Sequence, residues 1–350
     1  MKVGILGGTG EIGSKLLACL KVIPQLSLLA TYHSRYVADS DNVKWIKCDI
    51  QKETEIRQII DMVDIIVNCA GASYITSECV AKLAGEYRKI YIDPFGGKYL
   101  MKKLQPYEKK AEFILSSGCF PGVTGFMARA LCERYDTIHC LKGNIIQTEI
   151  PSICAVKDFI LSGIHGFGKP KQYYYKGNYL KQEAVELCSL SENISVPVQL
   201  YYTEEIDEIV ETYAMEEAYW YTMCMNPMVL NVMQKGIMEY LKSPAAEILE
   251  AEAVNIRNTF LKIPPSDPKL PGVVIQVAVQ GMQNGRKSRT CFTLNCDNAS
   301  SISAFVLSEV ILRVVNEGEK AGLFFGKDVL PLTSIEKMKQ VFCMSEEEEI

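Results

Sequence analysis

The chain has 350 residues, 48% of them hydrophobic, and a formal net charge of −5, enough apolar material for two cored domains and no basic block to hold nucleic acid. Thirteen cysteines include no C-x-x-C pair and are joined by only three histidines, so no metal site or disulfide framework is expected, and most cysteines should be small core residues. No apolar stretch approaches the roughly 18 residues of a membrane span, and strand-like sequence starts at once, so a cytoplasmic protein with no membrane partner is expected.

Residues 2–6 (Lys-Val-Gly-Ile-Leu) suit a short buried strand. The run breaks into Gly7 and then Gly8-Thr9-Gly10-Glu11-Ile12-Gly13, a G-x-G-x-x-G, after which residues 14–20 read as a helix. Strand, glycine turn and helix in that order meet the needs of a bound dinucleotide. The first glycine makes the turn, the second lets backbone approach the pyrophosphate, and the third lets helix pack on strand. The helix N-terminus adds unpaired N–H groups and a partial positive charge. Gly7 through Gly13 are therefore expected at the cofactor.

Residues 26–31 form a second apolar run that ends in Tyr32-His33-Ser34-Arg35. About twenty residues beyond the glycines, an NAD site calls for an acidic residue at the ribose 2′-hydroxyl. Here the first acid, Asp39, comes four positions after Arg35. Ser34 can donate to a 2′-phosphate, and Arg35 offers a planar fork for it, so NADP(H) is expected in preference to NAD(H). A third strand at 43–48 leads to Asp49 and Ile50, expected to edge the adenine.

The alternation continues with a helix at 53–62 and a strand at 64–69 that stops at Cys69-Ala70-Gly71, small residues that leave room for ribose and pyrophosphate. A helix at 77–85, a strand at 89–93, a helix at 98–109 and a strand at 111–116 follow. This is the rhythm of a doubly wound parallel sheet, whose ligands lie at the carboxyl ends of the strands. Position at that edge makes Asp93, Tyr74, Ser117 and Cys119 candidates for proton transfer. Asp93 leads because it ends a buried strand, where desolvation raises a carboxyl pKa. It could equally cap the turn that follows. Tyr74 lacks the Tyr-x-x-x-Lys spacing of short-chain dehydrogenases, its nearest following lysine being Lys82.

The second half reads as a mixed α+β domain. Strands are expected at 138–150 and 196–202, with hairpins turning at Gly177-Asn178 and at Asn284-Gly285. Helices are expected at 153–163, 226–241 and 300–316. Residues 323–331 should return to cover the first domain, and the acidic run 345–349 reads as a solvated, disordered tail. The expected division is 1–125, 126–320, and a C-terminal segment 321–350. Tyr173, Tyr174, Tyr175 and Tyr179 could line a pocket or a subunit interface, but three consecutive strand residues cannot all face one way.

Five segments together, Gly-Gly-Thr-Gly-Glu-Ile-Gly, Thr-Tyr-His-Ser-Arg, Val-Asn-Cys-Ala-Gly, Tyr-Ile-Asp-Pro and Gly-Cys-Phe-Pro-Gly-Val-Thr-Gly, resemble the saccharopine dehydrogenase-like oxidoreductases. The likeness is clearest over residues 1–130 and continues more faintly through 159–170. It implies an NAD(P)-binding Rossmann domain with an inserted α+β domain that carries substrate contacts and often the dimer interface. The reactions it implies are reductions or oxidations at a carbon–nitrogen or other polarised double bond. Several amino-acid-forming relatives carry Asp where this chain has Phe120, so an ionic anchor is replaced by an aromatic wall. The expected function is an NADPH-dependent reductase, a homodimer, acting on a small or carrier-bound substrate. A saccharopine- or opine-type dehydrogenase and a non-catalytic dinucleotide sensor or scaffold are the alternatives. From the second domain Lys157, Asp158 and His165 are further candidates.

Overall fold

Near-continuous apolar runs, each released by glycine or a polar cluster, build the first half of the chain. The computed structural model describes residues 1–40, 42–191, 194–263 and 270–349. They divide into two units, Met1–Phe126 with Ala299–Ser334, and Met127–Asn298 with Ile335–Ile350.

The first unit begins β1 (Lys2–Leu6), α1 (Glu11–Leu20), β2 (Ser27–Tyr32), β3 (Val43–Lys47), α2 (Glu53–Asp61), β4 (Ile65–Asn68), α3 (Ser73–Glu86), β5 (Ile90–Ile92), α4 (Gly97–Leu104) and β6 (Glu112–Leu115). Strands β4, β5 and β6 are buried at every position, as strands covered on both faces must be. Helix α3 starts four residues before the expected 77, which puts Tyr74 in its first turn. Helix α4 stops before Pro106 and passes into a single 3₁₀ turn, Gln105–Tyr107, since proline cannot continue the hydrogen-bond ladder. Between β2 and β3 the described residues form no helix. Helix α5 (Val123–Cys132) closes this stretch.

The second unit comprises β7 (Thr137–Gln147), α6 (Ile153–His165), β8 (Gly168–Pro170), β9 (Gln172–Tyr175), β10 (Asn178–Lys181), β11 (Glu186–Ser191), β12 (Ile194–Thr203), α7 (Glu204–Tyr213), β13 (Glu217–Met223), α8 (Pro227–Lys242), α9 (Ala246–Lys262), β14 (Val273–Gln283) and β15 (Arg286–Cys296). Every pairing in its sheet is antiparallel except β13 with β7. Both hairpins use two-residue loops with positive φ, Asn284-Gly285 at 51° and 73°, and Lys176-Gly177 at 45° and 83°. The second turn lies one residue earlier than expected, because Asn178 pairs with Tyr175 and so belongs to the strand. Twist matching favours such mirror-image turns.

Four elements close the chain: α10 (Ala299–Glu317), β16 (Gly322–Phe325), α11 (Gly326–Val329) and α12 (Ser334–Val341), followed by β17 (Cys343–Glu349). Strand β16 extends the parallel sheet to the order β16-β6-β5-β4-β1-β2-β3. Three expectations need correcting here. Helix α10 belongs to the first unit, so the boundary expected at 320 falls at 298. It is buried almost all round, from Ile302 to Val314, because even its polar residues have partners inside. Arg313 donates to Glu112 at 2.7 Å, and Glu309 accepts from Ser334 at 2.7 Å. The same helix, 19 residues long, meets the length and hydropathy of a membrane span, contrary to the sequence reading, yet 72% of that stretch is buried within the protein. The acidic run forms a strand, not a loose tail. β17 pairs with β15 over the register Arg289↔Glu349 to Asn295↔Cys343 and forms an edge of the second sheet.

Candidate cofactor site

The turn from β1 to α1 has no room for a side chain at two points. Gly7 has φ +75°, and a Cβ there would lie 2.8 Å from the Ala70 Cα. A Cβ on Gly13 would lie 2.3 Å from the Gly7 carbonyl oxygen. Only glycine lets α1 sit this close to the strand it leaves. The turn is also tied down. The Gly7 and Gly8 amides donate to the Thr31 hydroxyl and carbonyl, both at 2.9 Å, and the Gly10 amide to the Gly7 carbonyl at 2.9 Å. Helix α1 begins at Glu11 with no side-chain cap on its N-terminus. Its first amides, from Glu11 to Gly13, therefore point out where an anionic pyrophosphate would be held. Thr9, Gly10 and Glu11 are exposed and Ile12 is half-buried.

Ser34 and Arg35 lie in the connection after β2, both exposed. Among the described residues Arg35 has no ion-pair or hydrogen-bond partner. A cleft of ≈ 580 Å³ is lined in part by Gly8, Thr9, Ser14, Arg35, Tyr36 and Trp45. The glycine turn and the one cation expected at the 2′ group thus share one cleft. The sequence reading missed Trp45 and Tyr36, although an aromatic in a short cationic strand was a usable signal. It also missed Thr31, a hydroxyl ending an apolar run. Asp49 is less available than expected: it accepts from the Gln51 amide at 3.1 Å and lies 3.8 Å from Lys52. Ile50 packs against the core of this unit.

At the ends of β4 and β5 the structure assembles a buried polar network. Asn68 Nδ2 lies 3.2 Å from both Ser77 Oγ and Tyr91 OH and 3.3 Å from Asp93 Oδ2. Tyr91 donates to the same carboxylate oxygen at 2.5 Å, and the Phe95 amide donates to Asp93 Oδ1 at 2.8 Å. Asp93 is 0% exposed. Burial raises its pKa, against hydrogen bonds from Ser77, Tyr91, Phe95 and Asn68 that lower it. The expected desolvation is there, but the carboxyl faces inward with both oxygens engaged. Through the Phe95 amide it anchors the turn that follows β5. Cys69 and Ala70 follow β4 directly, half-buried like Gly71. Burial, then the Asp93 carboxylate, push the Cys69 thiol well up, so it stays protonated. Cys119 is buried, and its amide donates to Ser303 Oγ at 3.0 Å. Tyr74 is half-buried, edge-on to Phe95 with ring centroids 5.0 Å apart and 5.5 Å from Tyr99. Ser117 is fully buried. Lys157, paired with Glu250, lies with Asp158 and His165 on α6 in the other unit.

A family model described as the NAD dependent epimerase/dehydratase family matches residues 3–83. No curated protein sequence matches the chain. Among solved structures, the apo, histidine-tagged saccharopine dehydrogenase (L-Glu forming) from Saccharomyces cerevisiae matches over 100% of both chains, with 12% identity and a TM-score of 0.70. The C. glutamicum DAP dehydrogenase in complex with DAP covers 97% of this chain and 98% of its own at 10% identity, with a TM-score of 0.45, too low to carry an argument. The short-chain dehydrogenase/reductase of Veillonella parvula in complex with NADP covers 26% of this chain and 46% of its own, with 19% identity and a TM-score of 0.24. The resemblance drawn from five sequence segments therefore holds in the fold: the protein has a Rossmann-type nucleotide-binding unit and, along its whole length, the fold of a saccharopine dehydrogenase.

Proposed function

We propose that the protein is an NADPH-dependent reductase acting on a polarised double bond, most readily C=N, of a small or carrier-bound biosynthetic intermediate. The observation that carries the reading is the cleft shared by the glycine turn and Arg35, which has no ion-pair or hydrogen-bond partner among the described residues. The residues suit the group: a turn with no room for a Cβ at Gly7 or Gly13, an uncapped helix N-terminus and a cation beside them. When bound, the cofactor supplies the hydride.

Each residue then has a stated task. The α1 amides hold the pyrophosphate, while Ser34 and Arg35 hold the 2′-phosphate as a charge-assisted pair. Ala70 and Gly71 leave space for ribose. Asp93 positions these loops by fixing the Phe95 amide and, through Asn68, the end of β4. Reduction of an iminium needs no strong acid, because the nitrogen is already protonated, so a buried Asp93 is compatible with this chemistry. Tyr74 is the best placed of the three catalytic candidates, being half-buried where Asp93 and Cys119 are buried. A homodimer is part of the proposal.

One observation favours a second reading. The full-length match in fold to a saccharopine dehydrogenase suits an amino-acid substrate. Phe120, in place of an acidic anchor, speaks for a more apolar one. Following NADPH consumption with cyclic imines, ketones, and paired amino acids and 2-oxo acids separates the two. Turnover of imines supports the reductase, and turnover of the paired substrates alone moves the assignment to the opine type. NADPH binding with no turnover of any class would leave a dinucleotide sensor.

A further inference from the structure

The second unit's sheet ends on a strand that apolar burial does little to hold. In β17 only Met344 is half-buried, and the other residues from Cys343 to Glu349 are exposed. Its backbone ladder with β15 is supplemented by charge. Glu346 accepts from Arg134 at 2.6 Å and from Lys339 at 2.9 Å, all three side chains being about one-third exposed or less. Both cations also lie over one ring: Arg134 Cζ is 4.9 Å and Lys339 Nζ 6.0 Å from the centroid of Phe292, the residue that pairs with Glu346 in the register. Glu349 meets Arg289 at 3.2 Å. Two cations gathered about one ring repel each other, and Glu346, which accepts from both, offsets that repulsion.

Beneath it, β15 begins Arg-Lys-Ser-Arg and runs for 11 residues, a cationic strand whose outer N–H and C=O groups β17 satisfies. We propose that this edge of β15, with the Arg134–Phe292–Lys339 clamp, is a docking edge for an extended acidic peptide strand, and that Cys343–Glu349 is its resident, charge-latched occupant. Charge selects the partner. A second β15 edge would bring arginines against arginines, whereas a strand with carboxylates three residues apart, as Glu346 and Glu349 are, meets Arg289 on one face and the clamp on the other. Occupied, the edge shows Glu347 and Glu348 to solvent, which discourages open-ended strand addition.

The test uses the full chain and a labelled synthetic peptide with the sequence of residues 342–349. Amide exchange is followed in β17 and in β14, with 50 mM and 500 mM NaCl, in the unaltered protein and in Glu346→Lys. The expected result is faster exchange in β17 at high salt and in Glu346→Lys, with β14 unchanged, because screening and charge reversal both weaken the latch. Glu346→Lys should also bind the peptide about tenfold more tightly than the unaltered chain at low salt, since two ion pairs no longer hold the resident strand. A peptide carrying Lys at the Glu346 position should bind neither protein. Exchange in β17 indifferent to salt and to Glu346→Lys would overturn the latch. A released β17 with no gain in peptide binding, or equal binding of the Lys peptide, would overturn the docking edge.

Discussion

At the residue scale, the site is decided by contacts too short to change. Gly13→Ala forces a methyl to 2.3 Å from the Gly7 oxygen, so the turn must open. A loss of about 1–3 kcal/mol of stability is expected, together with loss of dinucleotide binding, read from urea unfolding and a cofactor titration. Thr31→Val removes the acceptor for the Gly7 amide while keeping the shape of the side chain. It should cost about 1 kcal/mol and weaken the cofactor without abolishing it. Asp93 yields a prediction in pH. Its folded pKa is raised, so the native state holds a proton that the unfolded chain has released. Its contribution therefore falls as pH rises from the ordinary aspartate range of about 3.9 toward the folded value. Urea midpoints across acidic pH should show this decline in the parent and not in Asp93→Asn. The opposite slope would mean that the carboxylate is stabilised as an anion. Glycine spacing and the placing of Arg35 were legible in the sequence because backbone geometry and charge are local properties. The inward turn of Asp93 was not. It depends on Asn68, Ser77 and Tyr91 meeting from three different elements.

At the element scale, α10 shows why the sequence misplaced a domain boundary. Its apolar residues fit a helix in either unit, and among the polar ties that join it to the first is the buried pair of Arg313 with Glu112 on β6, which also accepts from the Lys320 amide at 2.9 Å. Arg313→Met should cost about 3–5 kcal/mol by leaving Glu112 buried and unpaired. Removing both charges, Arg313→Met with Glu112→Gln, should recover much of that in urea unfolding. Equal losses for single and double variants would show that the helix is held by packing alone. Strand β17 was missed for a related reason. Four consecutive glutamates have little intrinsic preference for a strand, and Arg134, Lys339 and Arg289, which make one favourable, lie far away in the chain or in another element. Strands β1, β2, β4, β5 and β6 were legible because buried parallel strands announce themselves as apolar runs.

At the scale of the whole molecule, two sheets of different construction share one chain, and the proposed cofactor site lies wholly on the parallel one. A ligand that binds the folded state at one hundred times its Kd stabilises it by about 2.7 kcal/mol. NADPH should therefore raise the unfolding temperature of the protein, and amide exchange should slow chiefly in β1, α1 and β2. Protection confined to the antiparallel sheet would contradict the assignment. The central claim is that Arg35 makes the glycine cleft an NADPH site, and paired calorimetric titrations of NADPH and NADH into the parent and Arg35→Ala test it most directly. The parent should prefer NADPH, and Arg35→Ala should weaken NADPH by roughly 2 kcal/mol or more while leaving NADH nearly unchanged. Equal affinity of the parent for the two cofactors, or equal losses for both in Arg35→Ala, would contradict it.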